Sequence, residues 1–117
     1  MNTTTLPAID YKACMDACQA CVIACDTCAA ACLKETDVRM MAACIAQDLE
    51  CARICELAVA SMARQSPHAP AICRLCAQIC QACADECSKH SHDHCQTCAA
   101  ACQQCAMSCN LMGMQSH

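Results

Sequence analysis

Five thiols of one segment, Cys18, Cys21, Cys25, Cys28 and Cys32, are separated by steps of three, four, three and four residues. On an α-helix of about 3.6 residues per turn, such steps keep every side chain on one face. At ~1.5 Å per residue the row is about 21 Å long. The spacing returns at Cys73, Cys76, Cys80, Cys83 and Cys87, and again at Cys95, Cys98, Cys102, Cys105 and Cys109. An imperfect copy reads Met41, Cys44, Asp48, Cys51 and Cys55, and Cys14 stands one step ahead of the first row. Thiolates are soft metal ligands and nucleophiles. Rows of them on helices therefore point to metal or redox chemistry.

A lone buried cysteine is an ordinary small hydrophobe. A chain with 19 of them is different, because Ala or Val would fill the same space without the risk of oxidation. Structural zinc takes four ligands around one ion, usually from isolated Cys-x2-Cys pairs and not from an unbroken ladder. Iron–sulfur clusters favour cysteines on loops freed by Gly or Pro, whereas these rows contain no Gly. Cu(I) is selected by thiolates and thioethers and accepts two or three ligands. A Cys-x3-Cys step puts two sulfurs on adjacent turns for one ion, and a Cys-x2-Cys step carries the ladder onward. Charge agrees. Buried thiols must stay protonated without metal, and each can exchange its proton for one monovalent ion. Zn²⁺ at four thiolates would leave two negative charges at every site. No cysteine sits at an evident helix N-terminus beside an activating base, which argues against a thiol redox enzyme.

The rows need helices to carry them. Pro7 suits the first turn of a helix running to about Lys34. Thr36 or Asp37 caps a second helix reaching about Arg64. Ser66 as cap with Pro67 as first helical residue starts a third, ending near Lys89. Ser91 or Asp93 caps a fourth that runs to Met112, with Gly113 as its stop. Short turns join antiparallel neighbours, so the fold class is all-α: an antiparallel four-helix bundle with a cysteine-lined core. Residues 1–6 are expected to form a loose arm, 7–113 the bundle and 114–117 a tail. Alternating helix directions predict five layers. From the bottom they are Cys18/Cys55/Cys73/Cys109, Cys21/Cys51/Cys76/Cys105, Cys25/Asp48/Cys80/Cys102, Cys28/Cys44/Cys83/Cys98 and Cys32/Met41/Cys87/Cys95.

At 117 residues the chain makes one domain. Tyr11 is the only aromatic residue, and six Ile, six Leu, three Val and eight Met are the other large apolar side chains. A core of Ala and Cys gains little per residue, so help is expected from bound metal, from oligomerisation or from both. The surface residues Ile23, Ile45, Leu49, Ile54, Leu57, Ile72 and Ile79 fit packing between helices and packing between subunits equally well. A net charge of −4 with scattered Lys and Arg leaves no nucleic-acid footprint. Charged or amide residues interrupt every apolar run, so no membrane anchor is expected. The N-terminus lacks the basic start and apolar run of a signal peptide, and the expected location is the cytosol. Thiols stay reduced there, and an odd number of them would leave one outside any disulfide framework.

Asp48 is either a carboxylic acid kept neutral by burial or an oxygen ligand dividing two metal clusters. Met41 is core filler or a weak thioether ligand, and Met40, Met62, Met112 and Met114 are weaker cases. His90, His92 and His94 are a solvated turn or a gate for incoming metal. The end that holds Met62 and Met112 is the rival mouth.

The repeated Cys-x2-Cys-x3-Cys ladder, over residues 8–113 or so, resembles the bacterial copper storage proteins, and within them the cytosolic branch, which lacks an export signal and is richer in cysteine. The resemblance implies multiple Cu(I) ions along the bundle core and a homotetramer. It implies further that a polar residue of the second helix and a His or Met at the mouth join the thiols. Asp48, His90 and Met41 are the matching candidates, with Asp48 standing where that branch carries Asn. The function expected is storage and detoxification of copper, not catalysis, and a store needs a copper donor or acceptor to serve it. A zinc or general metallothionein-like buffer, a copper chaperone and an iron–sulfur electron carrier are the alternatives.

Overall fold

The computed structural model describes residues 7–115. It contains α1 (Lys12–Cys32), α2 (Ala42–Ala63), α3 (Ala69–Cys87) and α4 (Asp93–Gly113), with one 3-10 turn, Val38–Met41, leading into α2. No strand occurs among the described residues. The arm expected at 1–6 and the last two residues of the expected tail lie outside them. Each helix packs on two neighbours, α1 and α3 both lying between α2 and α4. The result is the expected up-down-up-down bundle.

The helix starts differ from expectation for local reasons. α1 begins at Lys12, not Pro7, because Asp10 Oδ1 accepts the Lys12 N–H at 3.0 Å. The residues before it are held differently: the Gln65 side chain exchanges two hydrogen bonds with the Ile9 backbone, at 3.1 and 2.8 Å. Asp37 makes no cap bond to α2. Its carboxylate faces His92 Nε2 at 3.4 Å instead. α3 begins at Ala69, so Pro70 and not Pro67 occupies the first turn. Ser66 serves the turn before it, with Oγ accepting the His68 N–H at 3.1 Å.

The helix ends show how glycine is used. The left-handed residue of the fold is Gln65, with φ of 55°. It closes α2 in a Schellman turn, with Ser66 N–H on Ser61 O at 2.9 Å and Gln65 N–H on Met62 O at 3.0 Å. Gly113 is not the left-handed stop expected of it. It is the last residue of α4 and has no positive φ. A Cβ there would lie 2.5 Å from Arg74 Cγ and 3.2 Å from the Arg74 backbone nitrogen. Glycine is required because α3 and α4 meet closely, and Arg74 Nη1 donates to Gly113 O at 2.6 Å to fasten the contact.

The core is the thiol column itself. All 19 cysteines are buried and unpaired by disulfides. Between them sit small residues, with Ala52, Ala58, Ala69 and Ala84 fully buried. These admit close helix approach in place of bulky aliphatic packing. Ile45, Ile54, Ile72 and Ile79 pack partly buried against this core. Ile23, Leu49 and Leu57 stay exposed, Ile23 by 68%. By length and composition alone α1 could cross a membrane, which amends the expectation of no such run. Its thiol face is buried in the bundle, while Ile23 is exposed.

Candidate metal centre

Within single helices, successive turns bring sulfurs together at Cys21–Cys25, Cys28–Cys32 and Cys76–Cys80, all 3.8 Å apart. Cys83–Cys87, Cys98–Cys102 and Cys105–Cys109 follow at 3.9 Å. Between helices the distances are similar or shorter: 3.5 Å for Cys18–Cys109 and Cys51–Cys80, 3.6 Å for Cys21–Cys51 and Cys25–Cys98, 3.7 Å for Cys55–Cys76. With a metal–thiolate bond of about 2.3 Å, three sulfurs around one ion stand ~4.0 Å apart and two opposed ones ~4.6 Å. The observed spacing is close to the first and short of the second.

The sulfurs close into overlapping groups of four whose ligand atoms lie within 4.8 Å of one another. Among these are Cys18/Cys76/Cys105/Cys109, Cys21/Cys55/Cys80/Cys105, Cys21/Cys25/Cys51/Cys102 and Cys25/Cys83/Cys98/Cys102. Cys21, Cys25, Cys102 and Cys105 each belong to two groups, so these four groups form one run. The predicted layers hold between α1, α2 and α4, with Cys18–Cys109 at 3.5 Å and Cys21–Cys51 and Cys25–Cys102 at 3.6 Å, but not for α3. Cys76 and not Cys73 levels with Cys18, and Cys83 and not Cys80 joins Cys25. α3 is displaced by one step, because each thiol settles between two thiols of the facing helix rather than opposite one.

That displacement relocates Asp48. Its carboxylate lies among Cys83, Cys87 and Cys98, whose Sγ atoms donate to Oδ1 at 3.3, 3.2 and 3.3 Å, with Cys44 donating to Oδ2 at 3.9 Å. The side chain is fully buried with no cation beside it. Burial first, then charge on Cys98, pushes its pKa up to about 8. The thiols respond similarly where burial dominates. Burial pushes Cys32 up to about 11, and Cys95 is raised by burial and then by charge on Cys44.

The upper end carries the imidazoles. His94 Nδ1 faces Cys28, Cys95 and Cys32 at 3.4, 3.5 and 3.9 Å, and these four form a candidate metal group. Its Nε2 lies 3.0 Å from Glu35 Oε1, the arrangement that fixes the tautomer and orientation of a ligating histidine. His92 stacks on His94 with ring centroids 5.3 Å apart and faces Glu35 and Asp37 at 3.6 and 3.4 Å. His90 turns away, with Nε2 on Glu86 Oε2 at 2.9 Å, and meets no thiol. Met41 is buried one turn ahead of Cys44. At the lower end Met62 is fully buried, and Cys14 meets Cys109 at 3.6 Å. Sequence reasoning ranked His90 at the mouth and did not separate His94 from its neighbours. It missed Glu35, which nothing in the spacing marks.

A bundle whose whole core is a continuous column of thiols belongs to the class of metal-storing proteins, not to single-site carriers. The chain is a member of the copper storage protein family, which it matches over residues 8–114. The cysteine-rich protein YhjQ of Bacillus subtilis is 50% identical over 83 residues, 71% of this chain and 77% of that one. The Cu(I)-bound copper storage protein BsCsp3 superposes with a TM-score of 0.85 at 50% identity, covering 88% of this chain and 97% of that one. The cytosolic copper storage protein of Streptomyces lividans, solved with five coppers, gives 0.87 at 34% identity over 92% and 94% of the two chains. The S. lividans protein is also known loaded with ten copper equivalents. The resemblance read from the ladder holds.

Proposed function

We propose that this chain stores many Cu(I) ions along the bundle axis, held by Cys14, Cys18, Cys21, Cys25, Cys28, Cys32, Cys44, Cys51, Cys55, Cys73, Cys76, Cys80, Cys83, Cys87, Cys95, Cys98, Cys102, Cys105 and Cys109. The observation that carries the reading is the overlap of the four-thiol groups, which share Cys105, Cys21, Cys25 and Cys102 and so join four adjacent sites into one run. Cu(I) in each group needs two or three of its sulfurs, so neighbouring ions share ligands. The role is storage and detoxification, without catalysis. The location is the cytosol, as for the S. lividans relative. Exposed Ile23, Leu49 and Leu57 support a subunit contact, and the assembly is a homotetramer.

His94, with Glu35 behind it and His92 stacked on it, forms the gate through which Cu(I) passes to Cys28, Cys32 and Cys95. Met41 and Asp48 are auxiliary ligands near that end. Four-thiol groups also have the ligand number of structural zinc, and a zinc buffer is the second reading.

Anaerobic titration of the reduced protein with Cu(I), against a colorimetric Cu(I) chelator, tests the storage reading. Copper should stay with protein beyond roughly ten equivalents, the number that 19 thiolates would hold at two unshared ligands per ion. Retention ending at a few equivalents would move the reading to a chaperone. Zn²⁺ that resists equimolar Cu(I) would move it to a zinc buffer. The His94→Ala protein should load more slowly with nearly unchanged capacity, and an unchanged loading rate would remove the gate.

A further inference from the structure

The lower end of the column is closed by the one aromatic residue of the chain. Tyr11 is 2% exposed and packs in the same core cluster as Cys14, Cys73 and Cys109. It stands immediately before α1, with its carbonyl accepting the Met15 N–H at 2.8 Å. The segment leading to it is pinned by the two Ile9–Gln65 bonds. The ring is thus fixed from both sides.

Its hydroxyl is buried and has no hydrogen-bond partner among the described residues. A buried phenol ordinarily finds one, because leaving the donor unmade forfeits its hydration with nothing in return. The thiols that share its core cluster, Cys14, Cys73 and Cys109 among them, make no hydrogen bond to it. Burial raises the Tyr11 pKa further above the neutral range. Neutral thiols are weak acceptors. A metal-bound thiolate is a stronger one, since hydrogen bonds to charged acceptors are shorter and roughly twice as strong.

We infer that Tyr11 is a positioning residue for the lowest Cu(I) site, its hydroxyl donating to a metal-bound thiolate of Cys14 or Cys73 once that end is filled. The hydroxyl lacks a partner in the empty protein and gains one on loading, so it favours the loaded state at this end only. This rests on the storage reading and adds a residue that contributes no ligand atom.

The test compares the reduced full-length protein with Tyr11→Phe, which keeps the ring and deletes the donor. Chelator competition should show the last ions to leave or enter at the lower end held roughly tenfold less tightly, the size of one hydrogen bond, with the rest of the isotherm unchanged. The copper-free variant should be as stable as the parent or more so, because an unmet donor has gone. With carbon-13 tyrosine the parent gives a single Cζ resonance. It should move over the same equivalents that the variant binds weakly. Identical isotherms, a Cζ resonance unmoved at full loading, or a destabilised copper-free variant would each overturn the inference. If the parent itself fails to retain copper, the storage reading fails first, and the two failures are distinguished.

Discussion

Asp48 should make the copper-free protein less stable as the pH rises across the neutral range, and Asp48→Asn should remove that dependence. The carboxyl is fully buried, accepts from the three thiols Cys83, Cys87 and Cys98, and has no cation near it. Its pKa rises from 3.8 unfolded to about 8 folded. The folded state therefore binds this proton more tightly than the unfolded state does. The stabilisation is complete below pH ~4 and is lost as the pH climbs toward and through about 8. One proton changes stability by about 1.4 kcal/mol per pH unit. Between pH 4 and pH 7 the loss reaches about 4 kcal/mol. That is a large part of the 5–15 kcal/mol or so that a domain has.

The assay is chemical denaturation of reduced, metal-free protein at several pH values from about 4.5 to 7.5, below the range where unfolded thiols ionise near ~8.5. Surface carboxylates and imidazoles titrate in this range too, so the quantity of interest is the difference between parent and Asp48→Asn. That difference should change in favour of the variant by about 1.4 kcal/mol for each pH unit. Parallel curves would refute the reasoning. They would mean that Asp48 is already ionised in the folded protein, or that water reaches it.

Gly113→Ala should cost about 1–3 kcal/mol in thermal melts, because its Cβ would overlap Arg74, and its copper capacity should match the parent; an unchanged melt would show that the helices part freely there. Gln65→Ala should destabilise by about 1–2 kcal/mol through loss of the Ile9 clamp, and Gln65→Gly by less, since glycine accepts the left-handed φ of 55°; the reverse order in denaturant would remove the backbone argument. Each Cu(I) held a thousandfold below its free concentration should add up to about 4 kcal/mol of stability, so the melting temperature should climb with every equivalent, and a plateau after the first few would contradict a continuous column. Because burial keeps thiols such as Cys32 protonated, loading should release about one proton per thiolate formed; an indicator in weak buffer reading far fewer would show thiols ionised beforehand.

The rows of thiols were legible because a period of three and four residues survives any arrangement of the helices. The height of the α3 row was not, because it depends on how side chains of facing helices interlock, and spacing within one helix carries no term for that. The histidines show the same division. His90 follows Cys87 by three residues and His94 precedes Cys98 by four, so both continue a stripe on paper. The helix ends decide between them. α3 stops at Cys87, which releases His90 toward Glu86, whereas α4 starts at Asp93 after an extended His92 and brings His94 onto the thiol face. Gly113 misled for a related reason. A glycine at a helix end reads as a left-handed stop, but a close approach from α3 has the same signature and is visible only when both helices are in place.

Charge connects the thiol column to its cargo more firmly than ligand softness does. Every thiol of the column is buried among other thiols, and among the described residues Asp48 is the only carboxylate there and no cationic side chain lies within the buried core. A core of this kind tolerates only reactions that keep it neutral. Exchange of one proton for one Cu(I) does so at every degree of filling, so an ion can enter or leave anywhere in the column without strain elsewhere. A divalent ion at four thiolates cannot, and overlapping four-thiol groups would bring its uncompensated charges close together. Asp48 obeys the same constraint by holding its proton among Cys83, Cys87 and Cys98, and it gives that proton up only when an additional positive charge comes to lie beside it.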